Sequence, residues 1–175
     1  MVPRRYAALE IRSVSVSRVT RHALALLALS ASAATAQPAS DYCTLLTKED
    51  VEAVLKMPVT VTATPLAEVP STTLHDQTCV FAAGSRALRM TVTETLSPAQ
   101  AQNMLGIDAM GHAGGGKPVA LPGIGDETVM ASPRTLMMRK GKLVLDISVA
   151  DFGDSDAARL ALAKNLAAKA ADKIR

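Results

Sequence analysis

The side chains best suited to bind a metal ion in this sequence are those of His75 and His112, together with the carboxylate of Asp76. Imidazole and carboxylate groups are common zinc ligands, and nearby methionines would extend the choice to copper. The two histidines, however, lie far apart in the sequence, and both fall in stretches with the composition of loops. Methionines also fill cores that contain few aromatic residues. We therefore expect no metal site.

A second candidate for chemistry is the stretch 111–117, which has the spacing of a phosphate-binding loop and ends in Lys117. In such a loop a Ser or Thr follows the lysine and binds magnesium, whereas Pro118 follows it here. A helix is predicted before the stretch where a strand is required, and none is predicted after it. We interpret the stretch as a flexible linker and expect no nucleotide or other cofactor. The side chains retained as candidate ligand contacts are those of His75, Asp76, His112 and Lys117.

Carboxylate pairs of the kind used in acid–base catalysis occur at Asp126-Glu127 and at Asp154 with Asp156. The first pair follows a Gly-Ile-Gly turn and the second opens a helix, so turn formation and helix capping account for both. The G-x-S-x-G pattern of a serine nucleophile does not occur in the sequence. We predict that the protein is not an enzyme and has no catalytic residues.

Cys43 and Cys79 are the only cysteines in the chain. A disulfide between them would close a loop of some thirty-five residues. The chain-entropy model assigns such a loop roughly 4 kcal/mol of stabilisation. The alternative is a pair of buried free thiols. The export signal described next favours the disulfide, which would leave no thiol to act as a nucleophile.

The first 36 residues have the order of a cleavable secretory signal. A basic region precedes the apolar run Ala23–Leu29, and the small residues Ala34-Thr-Ala36 form a cleavage site before Gln37. The apolar run is too short to span a bilayer, and no cysteine follows it for a lipid anchor. We predict that residues 1–36 are removed and that residues 37–175 form one exported domain, periplasmic or secreted, without a stable membrane anchor.

Removal of the leader changes the charge of the protein. The leader carries five of the nineteen Lys and Arg residues and one of the sixteen Asp and Glu residues. Fourteen basic and fifteen acidic residues remain, so the formal net charge falls from +3 to about −1. Because the remaining chain is not basic and contains almost no aromatic residues to stack on bases, we exclude nucleic acid as a partner.

Helix signals occur at three places along the mature chain. Thr47 is a predicted N-cap before a short amphipathic stretch that Pro58 ends. Ser97 precedes a proline and stands three residues before a glutamine, which predicts a second helix. Asp154 or Ser155 opens the last helix, whose apolar residues recur at helical spacing.

Strand signals lie between these helices. Strict alternation over 59–64 predicts a half-buried strand, whereas the prolines and small polar residues of 65–76 indicate an exposed loop. Alternating patterns on either side of short turns predict hairpins at 78–93 and 134–150. The order helix, strands, helix, strands, helix predicts an α+β domain. We expect a mainly antiparallel sheet packed with about three helices, and two similar halves.

The segment Cys43–Val51, a second cysteine beside an aromatic residue in a later strand, and the turn Gly123–Glu127 resemble a group of small exported bacterial proteins. That group is similar to lipoproteins of unknown function and to extracytoplasmic sensor modules of receptor kinases. The resemblance implies a disulfide between the two cysteines, an antiparallel sheet flanked by helices, and binding or sensing rather than catalysis. This chain lacks the lipidated cysteine of the lipoprotein members.

Two functions of different classes fit these observations. The first is a soluble binding or sensor-like domain with a small-molecule ligand against the sheet or beneath the loops at 65–76 and 111–118, which predicts a concave apolar pocket. The second is an inhibitor or immunity protein that binds an envelope enzyme. It predicts a flat or protruding apolar patch with a polar rim.

Overall fold

An antiparallel sheet of eight strands is the main element of the computed structural model, which describes residues 41–65, 67–69 and 74–175. The predicted signal at residues 1–36 lies outside these residues. A 3-10 turn covers Tyr42–Leu45, and the described α-helices are α1 (Lys48–Leu55), α2 (Pro98–His112) and α3 (Asp156–Lys173). The strands are β1 (Thr60–Ala63), β2 (Ala67–Val69), β3 (Leu74–Ala83), β4 (Arg86–Glu94), β5 (Val119–Ala120), β6 (Glu127–Ser132), β7 (Thr135–Lys140) and β8 (Leu143–Ser148). The predicted α+β fold is confirmed.

The strand order is β1-β3-β4-β8-β7-β6-β5, and β2 also pairs with β3. Strands β1, β3 and β4 and strands β6, β7 and β8 therefore form two similar antiparallel arrangements. They meet where β4 pairs with β8, with Arg89 opposite Ser148 and Glu94 opposite Leu143. The helices do not follow this similarity, because α1 and α2 pack into different apolar clusters.

The alternation of side chains along the strands creates two apolar faces. On the first, which we call the α3 face, α1 and α3 cover the main core, which includes Phe81, Met90, Leu145 and Leu166. The second, the α2 face, is smaller. There, three residues of α2 pack against one residue from each of three adjacent strands: Ala101, Leu105, Ala109, Ala131, Met137 and Val144.

Helix α1 begins with the predicted Thr47 cap and is fixed to α3 through Asp50. The Thr47 hydroxyl accepts a bond from the Asp50 amide, and the Asp50 carboxylate accepts one from the Thr47 amide. Lys173 of α3 also donates to this carboxylate. Burial opposes ionisation of Asp50, but these bonds outweigh it and lower its pKa to about 2. The helix ends at Leu55, before the predicted stop, because Lys56 adopts a left-handed conformation with φ 57°.

Two predictions for the segment after α1 are wrong. All four residues of β1 are exposed, so it is an edge strand rather than a half-buried one. The stretch 65–76 is not a simple loop, because β2 and the start of β3 pair there, with Ala67 opposite Asp76. Backbone hydrogen bonds from β3 stabilise extended structure that the turn-forming composition of this stretch did not indicate.

Cys43 and Cys79 form a disulfide, as predicted, with their Cα atoms 5.6 Å apart. Cys79 is completely buried in the main core. Beside the disulfide, the Tyr42 amide donates a hydrogen bond of 2.7 Å to the Gln77 side chain, which is itself buried. Together the two connections hold the 3-10 turn and the start of α1 against β3.

We expect Cys43→Ser, Cys79→Ser and the double variant to lose similar amounts of stability, because each removes the same bridge. The loss is up to about 4 kcal/mol if the entropy of the unfolded chain dominates. Thermal and denaturant unfolding, with and without reductant, measure it. This account is contradicted if the stability lost by the double variant equals the sum of the losses of the two single variants. It is also contradicted if reductant does not change the stability of the wild type.

Candidate functional site

A cavity of about 370 Å³ lies where the end of α2, the β6–β7 turn and the first turn of α3 come together. Its walls are mainly apolar, and the larger contributors are Val119, Met130, Ala131, Pro133, Ala157 and Leu160. The ionisable side chains that line it are those of Lys117 and Asp156. A concave apolar site with few polar groups is the form that small-molecule sites commonly take.

The glycine-rich stretch after α2 forms one wall of this cavity. Gly114 and Gly115 have φ values of 55° and 93°, a region that glycine adopts without strain, and they turn the chain after the helix. The Gly116 amide then donates a 2.8 Å hydrogen bond to the Ala113 carbonyl. Gly116 and Lys117 both line the cavity, so this stretch does more than link α2 to β5.

The opposite wall lies at the end of β6, where the register against β7 shifts between Met130 and Ser132. Adjacent side chains of a strand point to opposite faces. Met130 accordingly packs against the main core on the α3 face, and Ala131 belongs to the cluster on the α2 face. Both residues line the cavity, which therefore borders both faces of the sheet at this end of β6.

The start of α3 completes the site. The Ser155 side chain caps the helix by accepting a 3.2 Å hydrogen bond from the Ala158 amide. Asp156 is paired with Arg159, whose Nη1 lies 2.9 Å from Oδ1. Lys117 has no carboxylate partner among the residues that the structure describes. Of the two charged side chains in the lining, Asp156 is therefore neutralised by an ion pair, whereas Lys117 is not.

The end of α2 is fixed to the sheet by a side-chain contact close to this wall. His112 Nε2 lies 3.1 Å from Asp146 Oδ2, on β8. Burial raises the pKa of Asp146 above its ordinary value; the charge of His112 opposes this shift, and Asp108 adds to it. His112, a candidate ligand contact, thus holds α2 in place without lining the cavity.

The other two candidate contacts, His75 and Asp76, are consecutive in β3 and point to opposite faces of the sheet. His75 Nδ1 lies 3.2 Å from Glu94 Oε2, and Asp76 accepts a 3.2 Å hydrogen bond from the Thr93 hydroxyl. Of the four candidates, Lys117 alone lines the cavity. Within residues 41–65, 67–69 and 74–175, no group of His, Cys, Asp and Glu side chains is arranged to hold a metal ion.

His75 belongs instead to a hydrogen-bonded cluster with Tyr42 and Glu94 on the α3 face. The Tyr42 hydroxyl donates to the same Glu94 oxygen that faces His75. Burial raises the pKa of Tyr42, and the bond to Glu94 and its negative charge raise it further. The bond from Tyr42 lowers the pKa of Glu94, although burial of the carboxylate opposes this.

A wider groove of about 590 Å³ borders this cluster. Five of the nine residues that line it carry a charge, and three of these, including Glu94, bond within the protein. Lys140 donates a 2.6 Å bond to the Ala171 carbonyl, and Asp126 is bound by Arg139. We therefore regard the groove as a less suitable ligand site than the apolar cavity.

No protein-family model matches the chain, and comparisons with curated proteins and with solved structures give no significant match. The resemblance to exported lipoproteins and sensor modules stays a prediction. Among the residues that the structure describes, no helix is long and apolar enough to cross a membrane.

We predict that Tyr42 ionises well above the ordinary tyrosine pKa of 10.0, and that Glu94→Gln lowers its pKa by removing the nearby negative charge. In a Tyr6→Phe background Tyr42 is the only tyrosine, so phenolate absorbance at 295 nm reports on it alone. Burial should keep the variant's pKa above the ordinary value. Glu49→Gln, which changes an exposed carboxylate on α1, is the control. Superimposable titrations of the Glu94 variant and its parent would refute the coupling.

Proposed function

We propose that the protein is a non-catalytic binding domain that holds a small, mostly apolar ligand in the cavity between α2, the β6–β7 turn and α3. The cavity itself carries the proposal. Its volume of about 370 Å³ lies in the range of small-molecule sites. The cavity overlaps part of the expected ligand site, because the stretch 111–118 supplies Gly116 and Lys117, whereas none of the described residues of 65–76 lines it.

The walls of the cavity are held by interactions that do not require a ligand. The His112–Asp146 pair fixes the end of α2, and Ser155 caps the first turn of α3. The strand pairing of β6 with β7 supports the remaining wall. A site formed in advance loses less conformational entropy on binding, which favours affinity for a small ligand.

The disulfide supports an extracytoplasmic location for this binding domain. Disulfides persist in oxidising compartments and are rare in the cytosol of most organisms. The Cys43–Cys79 bond therefore agrees with the export signal predicted at residues 1–36. We propose that the protein binds its ligand in the periplasm or outside the cell.

Filling the cavity should weaken binding of a neutral apolar dye, N-phenyl-1-naphthylamine, whose fluorescence increases in apolar surroundings. We expect saturable binding to the wild type and at least about tenfold weaker binding to Ala157→Phe, equivalent to about 1.4 kcal/mol. Ala157 lines the cavity at the first turn of α3. Ala158 is exposed and does not line it, so Ala158→Phe is the matched control. Equal affinities for the two variants, or no saturable binding to the wild type, would overturn the proposal.

The second candidate function, an inhibitor or immunity protein, is favoured by the outer side of α2. Ile107 and Met110 are each 65% exposed and lie three residues apart, on one side of the helix. Exposed apolar side chains grouped in this way are typical of surfaces that bind another protein.

If this second function holds, the wild type inhibits one member of a panel of purified cell-wall hydrolases and proteases, and Ile107→Lys with Met110→Lys abolishes the inhibition. Both sites are exposed, so we expect unfolding free energies to change by no more than about 0.5 kcal/mol. Ala161→Lys with Asn165→Lys adds the same charges to exposed positions of α3 and is the control. Inhibition that survives the apolar substitutions would rule out this surface.

A further inference from the structure

We infer that the ligand carries a single negative charge and that Lys117 selects it, which makes the ligand class small aliphatic or aromatic carboxylates. This inference rests on the proposed function, because it concerns the same cavity. Lys117 then determines specificity, and the apolar walls hold the body of the ligand.

The charges at the cavity favour an anion over a neutral or cationic ligand. Asp156 is already paired with Arg159, at 2.9 Å, whereas Lys117 has no ion-pair partner in the described part of the chain. An anionic group beside Lys117 gains a charge-assisted hydrogen bond, which is stronger than a bond between neutral groups. A cationic ligand would instead be repelled.

The backbone is constrained on both sides of Lys117. Pro118 restricts the residue before it to an extended conformation. On the other side, Gly116 is fixed by the hydrogen bond from its amide to the Ala113 carbonyl. The backbone that carries Lys117 is therefore constrained at the wall of the cavity, whereas the Lys117 side chain is flexible.

The size and polarity of the cavity restrict the rest of the ligand. A volume of about 370 Å³ lies near the lower end of the range of small-molecule sites, so the ligand is small. Val119, Met130 and Leu160 offer apolar contacts to the body of such a molecule. Among the described residues of the lining, Lys117 is the one with a cationic side chain, so a doubly charged phosphate would be only partly compensated. A carboxylate fits this single cation better.

The test compares octanoate, octanol and octylamine, which share an alkyl chain and differ in the head group, as competitors of N-phenyl-1-naphthylamine. In the full-length wild type we expect octanoate to bind about fivefold more tightly than octanol, and octylamine to bind most weakly. Lys117→Gln should remove the preference for octanoate and leave the octanol affinity unchanged. Lys117→Arg should retain it. Lys164→Gln, which removes an exposed lysine of α3 outside the lining, should also retain it.

The outcomes separate this inference from the proposed function. If the dye binds in the cavity but octanoate and octanol compete equally, or the preference survives Lys117→Gln, the inference is wrong and the binding domain stands. Stronger competition by octylamine would also overturn it. If the dye does not bind saturably, the proposed function fails, and this inference fails with it.

Discussion

The pairing of β4 with β8 is the interaction on which the arrangement of the other elements depends. It joins the two similar sets of strands, and its ladder runs from Arg89 and Ser148 to Glu94 and Leu143. Both ends of α2 are fixed through it: Thr95, just beyond β4, bonds to the Lys142 carbonyl, and Asp146 of β8 holds His112. Because α2 leads directly into one wall of the cavity, the geometry of the candidate site is also a consequence of this pairing.

Much of the fold could be predicted because it depends on local rules. Thr47, Ser97 and Ser155 cap their helices as expected, since a cap needs only one side chain and the first turn of backbone. The hairpins at β3–β4 and β7–β8 follow from alternation on either side of a short turn. The disulfide was predicted from cysteine count and compartment rather than from geometry.

The cavity could be predicted only in part, because it combines elements that are distant in sequence. The glycine-rich stretch indicated a turn near Lys117, but nothing local indicated the register shift beside Met130 or the approach of Leu160 from α3. His75 and Asp76 do not line this cavity, for a different reason. Once 74–83 is a strand, its alternation sends neighbouring side chains to opposite faces, where each finds a structural partner.

The exposed position of β1 affects how the protein avoids aggregation. Among the described strands β1 pairs only with β3, so its other edge presents unpaired backbone groups. The surrounding sequence from Val59 to Thr64 is uncharged and rich in β-branched residues, a combination that favours pairing between molecules. Pro58 and Pro65 bracket it and lack the backbone N–H that a longer ladder requires. The two prolines thus stand at the positions where gatekeeper residues flank aggregation-prone strands.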